Sequence, residues 1–435
     1  MKTVLVITYY WPPGSGAGVF RWLKFCKYLR EYGWEPVIYT PSNPESPGHD
    51  PTLEEELPDG IQVIRRPIWE PYRFYKMITG QKKEDKIQSG FLNENRKPSV
   101  TDKISTWIRG NLFIPDARRF WIKPSVRFLS RWLAKHPVDA IVTTGPPHSL
   151  HMIGLQLQSK TGIPWLADFR DPWTQIDYHD KLMLSKAAAR KHQQLEKKVL
   201  RQADRVVTVS PHCASALEII GNRKVEVITN GFDSDDLKDL PGFQYKTFSI
   251  THLGSMNADR NPFVLWKVLQ NLVNTDPFFR ENLRIRLTGK TDLAVRKDLK
   301  KSGLIPYTVF TPPLPHREAL VHAADSAILL LPLNNTPNVL GITTGKLFEY
   351  MGLRRPVLCI GPPAGDAARI IRETGTGITV DFNDAETCRE TLLQWADRFR
   401  GRDLQPENHL GELYNRRTLT SKLSITLDQM AGIAP

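Results

Sequence analysis

Residues 341–356 read Gly-Ile-Thr-Thr-Gly-Lys-Leu-Phe-Glu-Tyr-Met-Gly-Leu-Arg-Arg-Pro. An apolar run, Ala327–Leu333, precedes this stretch, and a second, Pro356–Ile360, follows it. Two strand-like runs with a glycine-rich turn and a short helix between them form a βαβ unit. The turn Thr343-Thr344-Gly345 starts the helix, since threonine is a good N-cap and glycine lets backbone N–H groups approach a ligand. A helix N-terminus beside strand ends holds anions, and Lys346 adds a full positive charge there. Glu349, one turn on, is placed to accept hydrogen bonds from sugar hydroxyls. Phosphate and hydroxyls recognised side by side point to a nucleotide sugar. Without a ligand, the same residues read as a capped helix between two strands. The spacing Gly341-x-x-x-Gly345-Lys346 is one residue short of a P-loop. Leu347 also stands where the magnesium-binding hydroxyl belongs, so that motif is excluded.

The 435 residues suffice for two or three domains with full cores. Hydrophobic residues make up 40% and charged residues 24%, the balance of a globular enzyme rather than a disordered chain. A net charge of +13 favours anionic partners. The four cysteines, Cys26, Cys213, Cys359 and Cys388, are far apart and form no CxxC. This fits a reducing cytosol and suggests neither a disulfide framework nor a zinc site. The first residues read as a strand, not a signal peptide, and no apolar run reaches the ~20 residues of a membrane span. The expected location is cytoplasmic, with peripheral contact to the inner membrane face as an added possibility.

Along the chain, Val4–Tyr10 reads as a strand, Trp11–Gly18 as a glycine loop, and the residues after it as a helix. This is the first unit of a Rossmann-like half, although Gly14, Gly16 and Gly18 lack the dinucleotide spacing. Strands follow at Trp34–Thr40 and Ile61–Arg65. Residues 68–100 read as an insertion with a charge-rich run at 82–86. Segment 101–137 interleaves Trp107, Phe113, Phe120, Trp121, Phe128 and Trp132 with Arg and Lys. It is open to two readings: basic amphipathic helices at an anionic membrane surface, or a helix pair packed on the sheet. Asp139–Gly145 is a strand ending near His148. The strand from Pro164 runs into Asp168, Arg170, Asp171 and Trp173, and charged groups at parallel-strand ends mark ligand sites in open α/β sheets. The alternative is a structural Asp–Arg pair. Strands Arg205–Ser210 and Val225–Asn230 close the first half. A second series runs from Phe248–Leu253 through Gly377–Asp381. Asp233-Ser-Asp235 reads as a turn or cap rather than a metal site. The domains expected are 1–240, containing the 68–137 region, then 247–410, with a helical tail, 411–435, that packs back on the first. Two doubly wound α/β domains place the ligand in the cleft between them.

Several motifs carry a family resemblance. They are Trp11–Gly18 with its helix, Gly-Pro-Pro-His-Ser at 145–149, and Ala-Asp-Phe-Arg-Asp-Pro-Trp at 167–173. The second half adds His252-Leu-Gly-Ser255 with Arg260-Asn-Pro262, and Gly345–Met351 leading to Arg355-Pro-Val357. With these the chain resembles a retaining glycosyltransferase of family 4, whose GT-B fold is two Rossmann-like domains facing across a cleft. The resemblance implies a nucleotide-sugar donor held by the second domain, an acceptor on the first, and neither a metal nor a further cofactor. Donor contacts fall at Gly16, Gly18, Gly254, Arg260, Leu314, Thr343, Thr344, Gly345, Lys346 and Glu349. Glu349 matches the second glutamate of the family's Glu-x7-Glu motif. This chain departs from the pattern at Gly341, where the first would stand, and at Ser255 and Asn261, where the family has a cation pair. It departs again at Asp168, in place of a histidine. Asp168, Asp171 and Arg170 then become the catalytic candidates, with His148 and Trp173 on the acceptor side. The function implied is sugar transfer to a hydroxyl of a glycan or lipid-linked acceptor in cell-surface polysaccharide synthesis. A GT-B nucleotide-sugar 2-epimerase and a non-catalytic nucleotide-sugar-binding protein are the alternatives. Nucleic-acid binding is not expected, since the charge comes without a recognition motif.

Overall fold

The computed structural model describes residues 1–46, 48–70, 100–176, 182–406 and 411–432. Most of the expected insertion, 71–99 with its charged run at 82–86, lies outside them. The chain divides into two compact units. The N-terminal unit comprises 1–229 with 417–435, and the C-terminal unit 230–416.

The N-terminal unit is built on strands β1 (Lys2–Ile7), β2 (Trp34–Pro41), β3 (Gln62–Arg66), β4 (Ala140–Gly145), β5 (Trp165–Phe169), β6 (Arg205–Thr208) and β7 (Glu226–Val227). They lie in the order β3-β2-β1-β4-β5-β6-β7, every pairing parallel. Parallel strands covered on both faces read as unbroken apolar runs. In β1, Leu5 and Ile7 enter one core with Leu129, Ile153 and Trp165. Val4 and Val6 enter the other with Trp22, Phe25 and Ile38. The strand stops at Ile7 rather than Tyr10, because the Thr8 hydroxyl donates to the Tyr10 carbonyl (3.1 Å) and turns the chain.

The C-terminal unit repeats the plan with β8 (Phe248–Leu253), β9 (Leu283–Thr288), β10 (Thr308–Thr311), β11 (Ile328–Pro332), β12 (Val357–Ile360) and β13 (Gly377–Val380). Their order is β10-β9-β8-β11-β12-β13, all parallel. In each sheet the winding reverses between two adjacent strands, β1 and β4 in one and β8 and β11 in the other. Ligands of open α/β sheets sit beyond the carboxyl ends of such strands.

The basic aromatic segment forms two helices of different character. In Arg119–Leu133, Trp121, Val126, Leu129 and Leu133 are buried. Trp121 stacks on Tyr39 at 4.9 Å, so this helix packs on the sheet. Val100–Asn111 and the turn after it keep Ile104, Trp107 and Leu112 exposed, as is Phe120 at the start of the second helix. Arg416–Met430 is the last helix among the described residues. Its Leu419, Leu423 and Leu427 recur every fourth residue and enter the core beside Trp22 and Phe25. Asp428 accepts from Trp34 Nε1 at 2.9 Å and pairs with Lys2. Leu423→Ala, at a 1% exposed site, should therefore cost the N-terminal unit about 2–5 kcal/mol in denaturant unfolding. A loss below about 1 kcal/mol would contradict this packing.

Candidate active site

In the C-terminal unit the switch point joins the residues after β8 to the turn after β11. Gly254 follows β8 with φ 90°. A Cβ there would lie 2.7 Å from Lys346 Cε and 2.9 Å from Nζ. Glycine is thus what lets the ammonium lie against this backbone. Lys346 belongs to the helix Gly345–Gly352, which turns Leu347, Phe348, Tyr350 and Met351 into the core. The Tyr350 hydroxyl accepts from Leu253 N at 2.9 Å, tying the helix to the end of β8. Lys346 is half-buried. Burial, then repulsion from Arg260, pushes its ammonium down to about 8, with Glu349 opposing. Arg260 donates from Nε to Asn334 Oδ1 (2.9 Å) and from a terminal nitrogen to Ser255 O (3.1 Å). These bonds anchor the guanidinium near Lys346 through the loops after β8 and β11.

Thr344 is the N-cap residue, but its hydroxyl makes no capping bond. The Thr343 and Thr344 hydroxyls are buried without a hydrogen-bond partner among the described residues, as is His252 Nε2. Buried polar atoms are normally satisfied, so this edge has bonding capacity left over for a ligand. A side chain at Gly345 would enter open space, leaving the first helical N–H groups approachable. His252 donates from Nδ1 to Leu330 O at 3.0 Å. Burial, then the Lys346 charge, keeps it neutral, with its pKa lowered to about 3.

Glu349 has a partner that sequence reasoning missed. His316 opens the helix His316–Ala324, two residues after Leu314, and its Nε2 donates to Glu349 Oε1 at 3.1 Å. Burial alone would raise the Glu349 carboxyl. The His316 bond and the charges of His316, Lys346 and Arg416 outweigh it and hold the carboxyl below its usual range. Leu314 is half-buried in the loop between β10 and that helix. Gly254, Arg260, Lys346 and Glu349 therefore come together, with Thr343, Thr344 and Gly345 beside them in the turn. No residue spacing announced His316.

The remaining candidates belong to the N-terminal unit, also at carboxyl ends of strands. Gly16 is the N-cap of the helix Ala17–Tyr28. A Cβ at Gly18 would lie 2.8 Å from an Arg170 nitrogen. Arg170 donates to Gly18 O at 2.7 Å and also to Pro146 O, joining the glycine loop to the segment after β4. Asp168 is fully buried. Its carboxylate accepts from Arg21, from Trp22 Nε1 (2.7 Å) and from Thr144 Oγ1 (2.9 Å). Burial would raise this carboxyl, but the Arg21 charge and hydrogen bonds hold it below the usual range. The Asp168 carboxylate is thus engaged by inward donors and the Arg170 guanidinium by backbone carbonyls. Asp171, next in the chain, is exposed. His148 stacks on Trp173 with ring centres 4.7 Å apart and planes 2° apart. Neither of its ring nitrogens has a hydrogen-bond partner among the described residues. Burial, then the neighbouring His151 and Arg170, holds its pKa well below the usual range. Trp173 donates to His192 Nδ1 at 3.0 Å, which fixes the stack. Arg21 and Trp22 went unnoticed in the sequence because they look like ordinary helix residues.

Residues 15–231 match the model of the glycosyl transferase 4-like domain. No curated protein matches the chain by sequence. Among solved structures, sucrose-phosphate synthase from Thermosynechococcus elongatus is similar at 14% identity and TM-score 0.64, covering 99% of this chain and 100% of that one. WaaG, a glycosyltransferase involved in lipopolysaccharide biosynthesis, is similar at 13% and 0.59, covering 98% and 99%. HepE from Anabaena, solved with UDP-glucose, is similar at 13% and 0.56, covering 99% and 98%. At these identities the structures speak to the fold. The domain match and the paired α/β units together place the chain in the glycosyltransferase 4-like family, with the GT-B fold.

Proposed function

We propose that the protein is a metal-independent, retaining hexosyltransferase. It would move a sugar from a nucleoside-diphosphate donor to a hydroxyl of a glycan or lipid-linked acceptor of the cell surface. The observation that carries this reading is the pairing of Lys346 with Arg260 beside an uncapped helix N-terminus. Cleavage of the sugar–phosphate bond puts negative charge on the departing diphosphate. Lys346, Arg260 and the N–H groups at Gly345 stabilise it without a metal, at roughly 3 kcal/mol per preorganised donor. The hydroxyls of Thr343 and Thr344 add contacts, and Gly254 keeps the ammonium in place. Glu349, held ionised by His316, takes the ribose hydroxyls, while Leu314 shapes the donor's surroundings. On the acceptor side, the buried stack of His148 on Trp173 backs the site, and Asp171 is the carboxylate that takes the hydroxyl proton. The retaining course follows from the family resemblance. A cytoplasmic site of action suits a nucleotide-sugar donor.

A thermal-shift panel of nucleotides and nucleotide sugars tests the donor site, because a ligand of the native state raises its melting temperature. The best donor is then incubated with and without acceptors. Transfer supports the proposal, epimerised sugar without an acceptor supports the 2-epimerase reading, and binding without turnover supports a non-catalytic role. Lys346→Ala and Glu349→Ala should each lower kcat/KM by about tenfold or more while the protein stays folded. Wild-type kinetics in both would refute the site.

Lys346 also sets a pH dependence. An anion gains most from the protonated amine, so nucleoside-diphosphate affinity should fall as pH rises through about 8. Lys346→Met should bind weakly and without that fall. For folding the sign is opposite. The unfolded chain holds this proton up to 10.5, so Lys346 contributes stability that grows from about pH 8 towards 10.5. Calorimetric affinities that stay flat across pH 8 would contradict the assignment.

Contact with an anionic bilayer through 101–137 is supported by exposed Ile104, Trp107, Leu112 and Phe120 beside Lys103, Arg119 and Lys123. Trp107→Ser should weaken co-sedimentation with anionic liposomes at low salt. No wild-type binding at low salt would defeat this part.

A further inference from the structure

The N-terminal unit has a cavity of about 590 Å³ lined by Arg201, Arg205, Arg223 and Lys224, with Glu226 as its acid. It lies at the other end of the sheet from the residues above. Arg205 opens β6, whereas His148, Arg170 and Asp171 follow the closing ends of β4 and β5. It is open to solvent along the exposed Arg201 and Lys224.

Arg205 and Arg223 are held in place by backbone. Arg223 donates to the carbonyls of Leu200 (3.1 Å), Ala203 and Asp204 (3.0 Å), which close the helix Lys186–Gln202. It follows Asn222, whose left-handed backbone (φ 51°) ends the helix Pro211–Gly221. Arg205 donates to Asp204 O at 3.3 Å. The acids nearby are already engaged. Glu226 accepts from Thr426 at 2.8 Å and pairs with Arg205 at 3.4 Å. Asp204 accepts from Trp165 N and Gln158, each at 2.8 Å. Glu218 accepts from Val225 N at 3.0 Å. Burial, then the Arg205 charge, lowers the Arg223 pKa, with Asp204 and Glu226 opposing. Four cations gathered around one carboxylate that is already shared favour an anion, and the guanidinium forks of Arg201 and Arg205 match phosphoryl oxygens.

We propose that this cavity is a second anion site, separate from the donor site, that binds a phosphoryl group. The phosphoryl group belongs to a small soluble phosphate compound or to a phospholipid headgroup. Neither source depends on the glycosyltransferase reading.

Arginine footprinting with phenylglyoxal and mass spectrometry tests it on the full chain. The probes are inorganic pyrophosphate and vesicles of phosphatidylcholine with or without phosphatidylglycerol. Arg201 and Arg205 should react several-fold more slowly with the bound probe, while exposed Arg190 on the same helix reacts at its usual rate. Protection by pyrophosphate identifies a soluble source, and protection by phosphatidylglycerol vesicles alone identifies a headgroup. Lys224→Glu, at an exposed position, should raise the half-protecting concentration about tenfold. Unchanged reactivity with both probes, equal protection of Arg190, or protection indifferent to Lys224→Glu would overturn the proposal.

Discussion

Lys346 and Arg260 are two cations kept close together at the carboxyl end of a buried parallel sheet. The nearby carboxylate, Glu349, is already shared with His316 and Arg416. Burial first, and then the Arg260 charge, disfavours the Lys346 ammonium and lowers its pKa. The fold enforces the arrangement from several sides. Gly254 lets the ammonium lie on the backbone, Tyr350 ties the helix to β8, and Asn334 fixes the guanidinium.

The N-terminal unit spends its charges differently. Asp168 and Arg21 form a buried pair, where removing one partner would strand the other charge. Arg170 staples two loops through carbonyl contacts. Those loops hold the buried His148 and the exposed Asp171 at the strand ends. His148, stacked on Trp173, keeps two buried ring nitrogens without a hydrogen-bond partner among the described residues.

The fold was readable because its strands are continuous apolar runs such as Val4–Ile7 and Ile328–Leu331, separated by glycine turns. Boundaries slipped where local side-chain bonds ended a strand early, as Thr8 does after Ile7. The helix Pro211–Gly221 was overlooked, although Ser210 caps it through Cys213 N (3.2 Å) and Pro211 opens it, a readable start signal. The Lys346–Glu349 turn was legible because its glycine, lysine and glutamate lie within one short segment. The roles of Asp168 and Arg170 were not, because the partners that occupy them, Arg21, Trp22 and Gly18, are about 150 residues away. His316 was hidden for the same reason, meeting Glu349 from another element. Proximity built by topology leaves no spacing to read.

The central claim is that a diphosphate is the ligand feature this protein is built to hold. Calorimetric titration of matched pairs, each nucleoside against its diphosphate, isolates that feature. The account predicts that, for the preferred base, the diphosphate binds at least about a hundredfold more tightly than the nucleoside, and that most of the difference disappears in Lys346→Met. Equal affinities for nucleoside and diphosphate, or a difference untouched by that substitution, would contradict it.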